Sequence, residues 1–292
     1  MVVGSNAGLG LEASVHIACM KPKLLLVTCR DSDKLKFAID LGQLSWSGQY
    51  HDKGSQQVEA CSLDLSKFDG VRAVADHMAV KEDRQLNIII ANAGVLLRDY
   101  SSTPDGWDSS LVGLFLQLNT PLVGTVLLSI LLLPFLVRSS TVDLPSRIVF
   151  VSSDAGTWDR ILETVNNDKF SNDANGHFRE SRYYDFDLLS SIIFLCELEA
   201  RLPKPSLVVV CSVGPGLSEQ GSRTLLHGAI GGDARVTHGQ YLSSCCTTRE
   251  SEDVFTPEGQ RLSKKLWDKT ISLLFQIDEE APQKVGQYLC DH

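Results

Sequence analysis

Apolar runs alternate with amphipathic stretches along the chain. The predicted strands, most of them apolar, occupy residues 2–3, 24–27, 58–62, 86–91, 147–152 and 207–212. Apolar residues recur at helical spacing at residues 11–20, from about residue 31, and at 68–78, 184–202 and 258–275. Near-continuous apolar strands that alternate with helices are typical of a parallel sheet that is covered on both faces. The pattern therefore predicts an α/β fold with a doubly wound parallel sheet and helices on both faces.

One segment is apolar enough to raise the question of a membrane span. Residues 109–137 contain no Asp, Glu, Lys or Arg. A transmembrane helix needs about 20 apolar residues, but Asn119, Pro121 and Pro134 interrupt this run, and its clean part, residues 122–133, is shorter. A helix that is buried in the protein on both sides is therefore favoured, and no membrane span is expected.

The composition is that of a globular protein. The chain has 292 residues, of which 43% are hydrophobic and 22% charged, so it can form a substantial core. We expect one domain over residues 1–275, with a polar insertion at about residues 157–182, and a C-terminal tail over residues 276–292. The formal net charge is -9 and the basic residues are scattered. A nucleic-acid partner is therefore not expected, because such proteins usually present a basic surface.

The cysteines and histidines indicate neither a disulfide framework nor a metal site. The sequence has eight cysteines without a CxxC pair, and seven histidines without HxxxH or HExxH spacing. Most cysteines lie in apolar runs, which is typical of reduced thiols inside cells. Cys245 and Cys246 are interpreted as packing or loop residues, because adjacent cysteines seldom form a stable disulfide. The N-terminus lacks the features of a secretory signal, so a cytoplasmic location is expected.

A glycine-rich turn follows the first apolar strand and precedes a helix. Its residues are Gly4, Ser5, Asn6, Ala7, Gly8, Leu9 and Gly10. Glycines let the backbone approach a pyrophosphate, and the helix N-terminus supplies N–H donors and the positive end of its dipole. Glycines alone are weak evidence, since other turns also use them, but the strand before and the helix after strengthen the prediction. The spacing is GxxxGxG, and we predict that a dinucleotide cofactor binds here.

With this spacing the chain resembles the short-chain dehydrogenase/reductase family. Further stretches over about residues 1–275 agree with the family's motifs in chain order. They are Asp64 and Leu65, like its adenine-contacting pair; Asn92, Ala93 and Gly94, like its NNAG motif; Asn119 in the long helix; Ser153 after the strand IVFV; and Pro215 and Gly216, like its turn beside the nicotinamide. In its detailed sequence the chain is most similar to fungal members of the family that are tied to secondary metabolism. The resemblance implies a Rossmann-type sheet and a nicotinamide-dependent oxidoreductase.

The end of the second strand bears on the choice of cofactor. An acidic residue there would bind the ribose hydroxyls and repel a 2′-phosphate, but this chain has Thr28, Cys29 and Arg30. The Arg30 guanidinium can pair with a 2′-phosphate through charge-assisted hydrogen bonds. We therefore expect NADP(H) rather than NAD(H). The alternative is that Arg30 is a solvated loop residue.

The resemblance also implies a catalytic centre. Tyr184 corresponds to the general acid/base, Ser153 to the serine that hydrogen-bonds the reacting oxygen, and Asn119 to the asparagine that supports a proton path; a structural role for Asn119 is the alternative. The family carries a lysine four residues after the tyrosine, whose ammonium lowers the tyrosine pKa and holds the ribose. That position is Leu188 here, or Asp187 if Tyr183 is the catalytic tyrosine, so neither register supplies a cation.

Two further departures concern the edges of the site. The family has a helical lid over the substrate after its PG turn, but here only residues 217–220 separate Gly216 from a stretch, 221–230, that resembles the helix after the lid. We therefore expect the lid to be deleted, with Glu219 near the family's threonine. Only three residues precede Gly4, so the first strand is expected to be shorter than the usual 5–6 residues or so.

Three functional hypotheses follow. The first is an NADP(H)-dependent reductase for a carbonyl of a small, secondary-metabolite-like molecule. The second is a protein that keeps the fold without the redox step, either a pseudoenzyme or a biosynthetic isomerase or cyclase. The third is a truncated or mis-spliced gene product. Both a monomer and a homo-oligomer are compatible with the sequence.

Overall fold

The computed structural model describes residues 1–31, 57–80, 84–93, 122–152, 184–216, 221–248 and 252–290. Within these residues, eight strands form one sheet. They are β1 (Val2–Val3), β2 (Leu24–Cys29), β3 (Gln57–Ser62), β4 (Ile88–Ala91), β5 (Ser146–Val151), β6 (Val208–Gly214), β7 (Gln240–Ser243) and β8 (Cys246–Thr248). Their order is β3-β2-β1-β4-β5-β6-β7-β8, parallel except for the β7–β8 pair. The predicted Rossmann-type parallel sheet is confirmed, and its order reverses between β1 and β4.

Helices cover both faces of this sheet. Those in the described residues are α1 (Gly8–Cys19), α2 (Phe68–Ala79), α3 (Leu122–Arg138), α4 (Tyr184–Arg201), α5 (Gly221–Leu226), α6 (Ala234–Thr237), α7 (Pro257–Ile277) and α8 (Ala281–Val285), with a π-helical turn at His227–Gly231 and 3-10 turns at Glu252–Phe255 and Gly286–Tyr288. Alternate strand residues face opposite sides. Ile89 therefore belongs to the apolar cluster that includes residues of α2, α3, α4, α7 and α8, whereas Ile90 belongs to the cluster that includes residues of α1 and α5.

The long apolar helix α3 lies inside the protein, as predicted. From Val123 to Leu133 its residues are buried, and Val126, Leu127, Leu128 and Leu132 are 0% exposed. No helix in the described part of the chain is long and apolar enough to cross a membrane. The hydrophobicity of α3 is therefore explained by contacts with the sheet and with neighbouring helices.

The C-terminal helix forms where its capping signal predicts. Thr256 precedes α7, and its Oγ1 accepts a hydrogen bond from Gly259 N at 3.0 Å. Trp267 of α7 stacks on Phe194 of α4, with ring centroids 5.0 Å apart. The predicted tail contains α8, whose Ala281 is fully buried. The contact of α7 with α4 thus fixes the position of α4, which carries a predicted catalytic position.

Other predicted features differ or cannot be compared. The strand β1 is as short as expected, with two residues, and six residues, 215–220, connect β6 to α5. The hairpin β7–β8 was not predicted, because β8 is exposed throughout and shows no apolar alternation. The polar insertion at residues 157–182 and the helical region expected after residue 31 lie outside the described residues.

The hairpin turn between β7 and β8 is built from two residues that disfavour it. Ser244 and Cys245 have φ angles of 50° and 62°, which is the left-handed conformation of a two-residue type I′ turn. Glycine adopts this conformation without the steric cost of a Cβ, which is about 1 kcal/mol. We therefore expect Cys245→Gly to raise the free energy of unfolding by about 1 kcal/mol, measured by urea denaturation.

The neighbouring cysteine provides the control for this substitution. Cys246 is an exposed residue of β8 that is not among the residues with positive φ. Cys246→Gly should therefore lower the stability by about 0.5–1 kcal/mol, because glycine in a strand loses more conformational freedom on folding. Equal effects of the two substitutions would contradict the explanation.

Candidate cofactor site

The glycine-rich turn is fixed to the end of β2. The backbone N–H groups of Gly4 and Ser5 both donate to Thr28 O, at 3.0 and 2.9 Å. The Ser5 hydroxyl is buried and donates to Val2 O at 2.7 Å. Gly4 and Gly8 have φ angles of 78° and 57°, which favour glycine. These hydrogen bonds hold the turn against the end of β2.

The helix that follows the turn begins with available donors. Its N-cap residue is Ala7, whose side chain makes no capping hydrogen bond, and no acidic residue lies in the first turn of α1. The first N–H groups of a helix have no intrahelical acceptor, and the helix dipole places partial positive charge there. The predicted pyrophosphate site at Gly8, Leu9 and Gly10 therefore has suitable chemistry.

The turn after β4 packs against the glycine-rich turn. A Cβ on Gly10 would overlap with Gly4 O and Asn92 Nδ2, and a Cβ on Gly4 would lie 2.8 Å from Ala93 Cα. Asn92 Nδ2 donates to Gly4 O at 3.2 Å. The structure thus brings four predicted site residues together at the switch between β1 and β4, where sheets of this topology bind dinucleotides.

Predicted residues also lie at the C-terminal ends of β2 and β3. Arg30 directly follows β2 and is exposed. Leu63 N donates to Cys29 O at 2.9 Å, so the turn after β3 lies beside the end of β2. In that turn, Asp64 Oδ1 accepts hydrogen bonds from Ser66 N at 3.1 Å and from Ser66 Oγ at 2.6 Å. Arg30 and the oriented carboxylate of Asp64 therefore follow the ends of two neighbouring strands.

The opposite part of the site lies at the end of β6. Pro215 is buried, while Gly216 is exposed with φ of 67°. A Cβ on Gly221, the first residue of α5, would lie 2.9 Å from Pro215 Cβ and 3.0 Å from Leu9 Cδ2. The predicted residues Leu9 and Pro215 thus meet through Gly221, and the glycine-rich turn contacts the far side of the site.

The predicted catalytic residues are placed only in part. Helix α4 begins at Tyr184, and position 188 follows on the same helix. Residues four apart on a helix lie on one face, one turn from each other. The backbone thus offers the spacing of a tyrosine–lysine pair, with leucine at the second position. Ser153, Asn119 and Gly94 lie outside the described residues, as does the alternative Tyr183.

Comparison with known proteins identifies the family. Residues 1–165 match the family described as short chain dehydrogenase. The chain belongs to the short-chain dehydrogenase family. It is 30% identical over 300 residues to human Retinol dehydrogenase 11, covering 94% of this chain and 85% of that protein.

A fungal relative and a solved structure are similar over most of their length. Short-chain dehydrogenase/reductase tropG of Talaromyces stipitatus is 27% identical over 327 residues, covering 97% of this chain and 92% of that protein. A crystal structure of an uncharacterized protein from Mycobacterium paratuberculosis has a TM-score of 0.67 and 23% identity, covering 93% of this chain and 91% of that one. The predicted family, including its similarity to fungal members, is confirmed. The chain is accordingly a member of an oxidoreductase family that binds nicotinamide cofactors and acts on small molecules.

Some residues that shape this short-chain dehydrogenase site were not predicted. The Thr28 carbonyl accepts both N–H groups of the glycine-rich turn, which no side-chain pattern can indicate. Gly221 and Gly124 make close approaches to other segments. An isolated glycine inside an apolar helix, as in LVGTVLL, is a sequence signal for such an approach, and Gly124 could have been found in this way.

Two buried cysteines within the sheet are poor nucleophiles. Burial raises the pKa of the Cys211 thiol to about 12. Burial also raises the pKa of Cys61, with a further contribution from the Glu59 carboxylate. The thiolate is the reactive form of cysteine, so neither residue suits covalent catalysis. Within the described ranges, no group of three or more His, Cys, Asp or Glu side chains could hold a metal ion.

The close packing of the glycine-rich turn against the turn after β4 predicts how a substitution at Gly10 changes stability. Gly10→Ala would force Gly4 O and Asn92 Nδ2 apart, because the new methyl group overlaps with both. Overpacking of this kind costs about 1–3 kcal/mol, and we expect that loss in the free energy of unfolding, measured by urea denaturation.

Gly8→Ala is the matched control. A Cβ at Gly8 would meet nothing within 4 Å, so only its positive φ opposes alanine, at about 1 kcal/mol. If Gly8→Ala were as destabilising as Gly10→Ala or more so, the steric explanation would be wrong.

Proposed function

We propose that this short-chain dehydrogenase binds NADP(H) and reduces a carbonyl group of a small, secondary-metabolite-like molecule. The observation that carries the proposal is the exposed Arg30 at the end of β2, beside the turn that holds Asp64. The glycine-rich turn that precedes α1 is hydrogen-bonded to the end of the same strand. Space for a pyrophosphate exists beside Gly8, where an added Cβ would meet no atom within 4 Å. At Gly4 and Gly10 a Cβ would overlap with protein atoms, so these glycines keep the turn in close contact with the segment after β4.

Local charge supports the preference for NADP(H). The net charge of -9 does not attract a phosphate, so binding must depend on groups at the site. Arg30 offers a planar set of donors for a 2′-phosphate, and the first turn of α1 offers N–H groups for the pyrophosphate. The free thiols of all eight cysteines are compatible with our further proposal of a cytoplasmic location.

The reaction requires a proton for the carbonyl oxygen. The cofactor, when bound, supplies the hydride. We assign the proton to the Tyr184 phenol, with Ser153 as the donor that holds the carbonyl oxygen and Asn119 in support. Because no lysine follows Tyr184 by one turn, its phenol has no ammonium there to favour ionisation. Reduction uses the protonated phenol, so the missing lysine impairs reduction less than oxidation.

Cofactor titration followed by turnover tests the proposal. Isothermal calorimetry should show tighter binding of NADPH than of NADH. NADPH consumption with a panel of aldehydes and ketones should then be slow but measurable, and Tyr184→Phe should abolish it. Absence of NADPH binding would refute the cofactor assignment, and unchanged turnover in Tyr184→Phe would refute the role of the tyrosine.

A second candidate is a protein that binds the cofactor or a similar ligand without redox turnover. Leu188 on the Tyr184 face of α4 and the six-residue connection from β6 to α5 favour it, because both alter positions that the reaction would use. Such a protein would be a pseudoenzyme, an isomerase or a cyclase. Robust NADPH oxidation by the purified protein would exclude this candidate.

A further inference from the structure

Two glycines from different helices contact the turn that follows β3. Gly124 lies in the first turn of α3 and is buried; a Cβ there would overlap with the Leu65 carbonyl oxygen and lie 3.1 Å from Leu65 Cβ. Gly70 lies in α2, and a Cβ there would lie 3.4 Å from the Asp64 carbonyl oxygen. Both helices thus enclose the turn, but of these two glycines only Gly124 leaves no room for a side chain.

The sequence around Gly124 makes its presence informative. Glycine is less favourable than alanine in a helix because it loses more backbone freedom on folding. The neighbours of Gly124 are buried residues of α3, so an alanine would suit the helix itself. The contact with the main chain of Leu65 explains why glycine is needed.

The turn that Gly124 contacts carries an oriented acceptor. Two hydrogen bonds from Ser66 hold Asp64 Oδ1, at 3.1 Å from Ser66 N and 2.6 Å from Ser66 Oγ. Asp64 Oδ2 lies 3.8 Å from Lys67 Nζ, which is beyond hydrogen-bonding distance, so it keeps lone pairs for a ligand. The exocyclic amine of adenine is a matching donor, whereas the carbonyl of hypoxanthine would be repelled.

We propose that Gly124 is a positioning residue for the adenine of the cofactor. Because Gly124 has no side chain, the Leu65 carbonyl packs directly against α3. This contact fixes the position of the Asp64–Leu65 turn and thereby lets Asp64 select adenine over hypoxanthine. This inference rests on the proposed function, because it requires an adenine-containing cofactor at the C-terminal ends of β2 and β3.

A comparison of two cofactors tests the inference. Dissociation constants are measured by fluorescence for NADPH and for its deamino analogue, in which hypoxanthine replaces adenine. The wild type should prefer NADPH by about tenfold or more, as expected for a lost charge-assisted hydrogen bond. Gly124→Ala should reduce this preference to about twofold or less, because it displaces the acceptor. Gly70→Ala makes the same chemical change at a contact with room for it and should keep the wild-type preference.

The ratio of constants separates positioning from general damage. A merely structural defect would weaken both cofactors together and leave the ratio unchanged. A wild-type ratio retained in Gly124→Ala, or lost equally in Gly70→Ala, would overturn the inference. If the wild type binds both cofactors equally, the inference fails while the proposed function survives. If it binds neither, the cofactor assignment itself fails.

Hydrogen exchange of the wild type provides a second test if Gly124→Ala does not fold. NADPH should slow amide exchange in the first turns of α3 as well as at residues 64–67, because the two segments are in contact. The deamino analogue at equal saturation should slow it less. Unchanged exchange in α3 on NADPH binding would overturn the inference.

Discussion

Leu188→Lys is expected to raise the rate of NADP⁺-dependent alcohol oxidation about 100-fold or more. A free phenol has a pKa near 10, and a nearby ammonium favours phenolate. If a lysine at this position lowers the Tyr184 pKa by about 3 units, phenolate formation near neutrality becomes easier by roughly 4 kcal/mol. Positions 184 and 188 lie one turn apart on α4, so the helix already provides the spacing. Initial rates with a panel of secondary alcohols measure the effect.

Three controls assign the gain to the tyrosine–lysine pair. Leu188→Met changes the side chain without adding a charge and should leave the rate unchanged. Tyr184→Phe combined with Leu188→Lys should lose the gain, because no phenol remains to be ionised. The pH at which oxidation is half-maximal should fall in Leu188→Lys, since a lower pKa moves phenolate formation to lower pH. A gain that survives Tyr184→Phe would contradict the assignment.

The sheet could be predicted because its information is local. Strands such as Ile88–Ala91 are apolar on both faces, which is typical of a parallel strand that helices cover on both sides. The hairpin β7–β8 has no such pattern, because β8 is exposed and its turn uses Ser244 and Cys245 instead of the Asn-Gly that would indicate a hairpin. The conformation of the hairpin is imposed by strand pairing in the folded sheet. Local sequence patterns do not carry that information.

The candidate site likewise contains residues that local sequence patterns predict and contacts that they do not predict. The glycine-rich turn and Arg30 could be predicted because each has its own chemistry and lies next to a predicted element. The contacts of Gly10 with Asn92, and of Gly124 with Leu65, join residues far apart in the chain. Sequence motifs can indicate such residues one by one. Which atoms meet is shown only by the way α1 packs against the turn after β4 and α3 packs against the turn after β3. That packing explains why glycine is required at Gly10 and Gly124.

Arg30→Asp is expected to reverse the cofactor preference. Loss of hydrogen bonds to a charged 2′-phosphate should weaken NADPH binding by about 10- to 100-fold, and the new carboxylate adds repulsion. The same carboxylate can accept hydrogen bonds from the ribose hydroxyls of NADH, so NADH should bind more tightly. Together these effects should change the ratio of the two dissociation constants by about three orders of magnitude, measured by calorimetry at low ionic strength.

Lys23→Asp is the matched control for this reversal. Lys23 is exposed and precedes β2, whereas Arg30 follows it, so the same charge is removed roughly 20 Å away along one strand. At that distance the charges are screened at physiological ionic strength, and the preference for NADPH should persist. In the wild type, added salt should weaken NADPH more than NADH, because only NADPH carries the 2′-phosphate. Equal effects of Lys23→Asp and Arg30→Asp would show that overall charge, and not a contact at the end of β2, selects the cofactor.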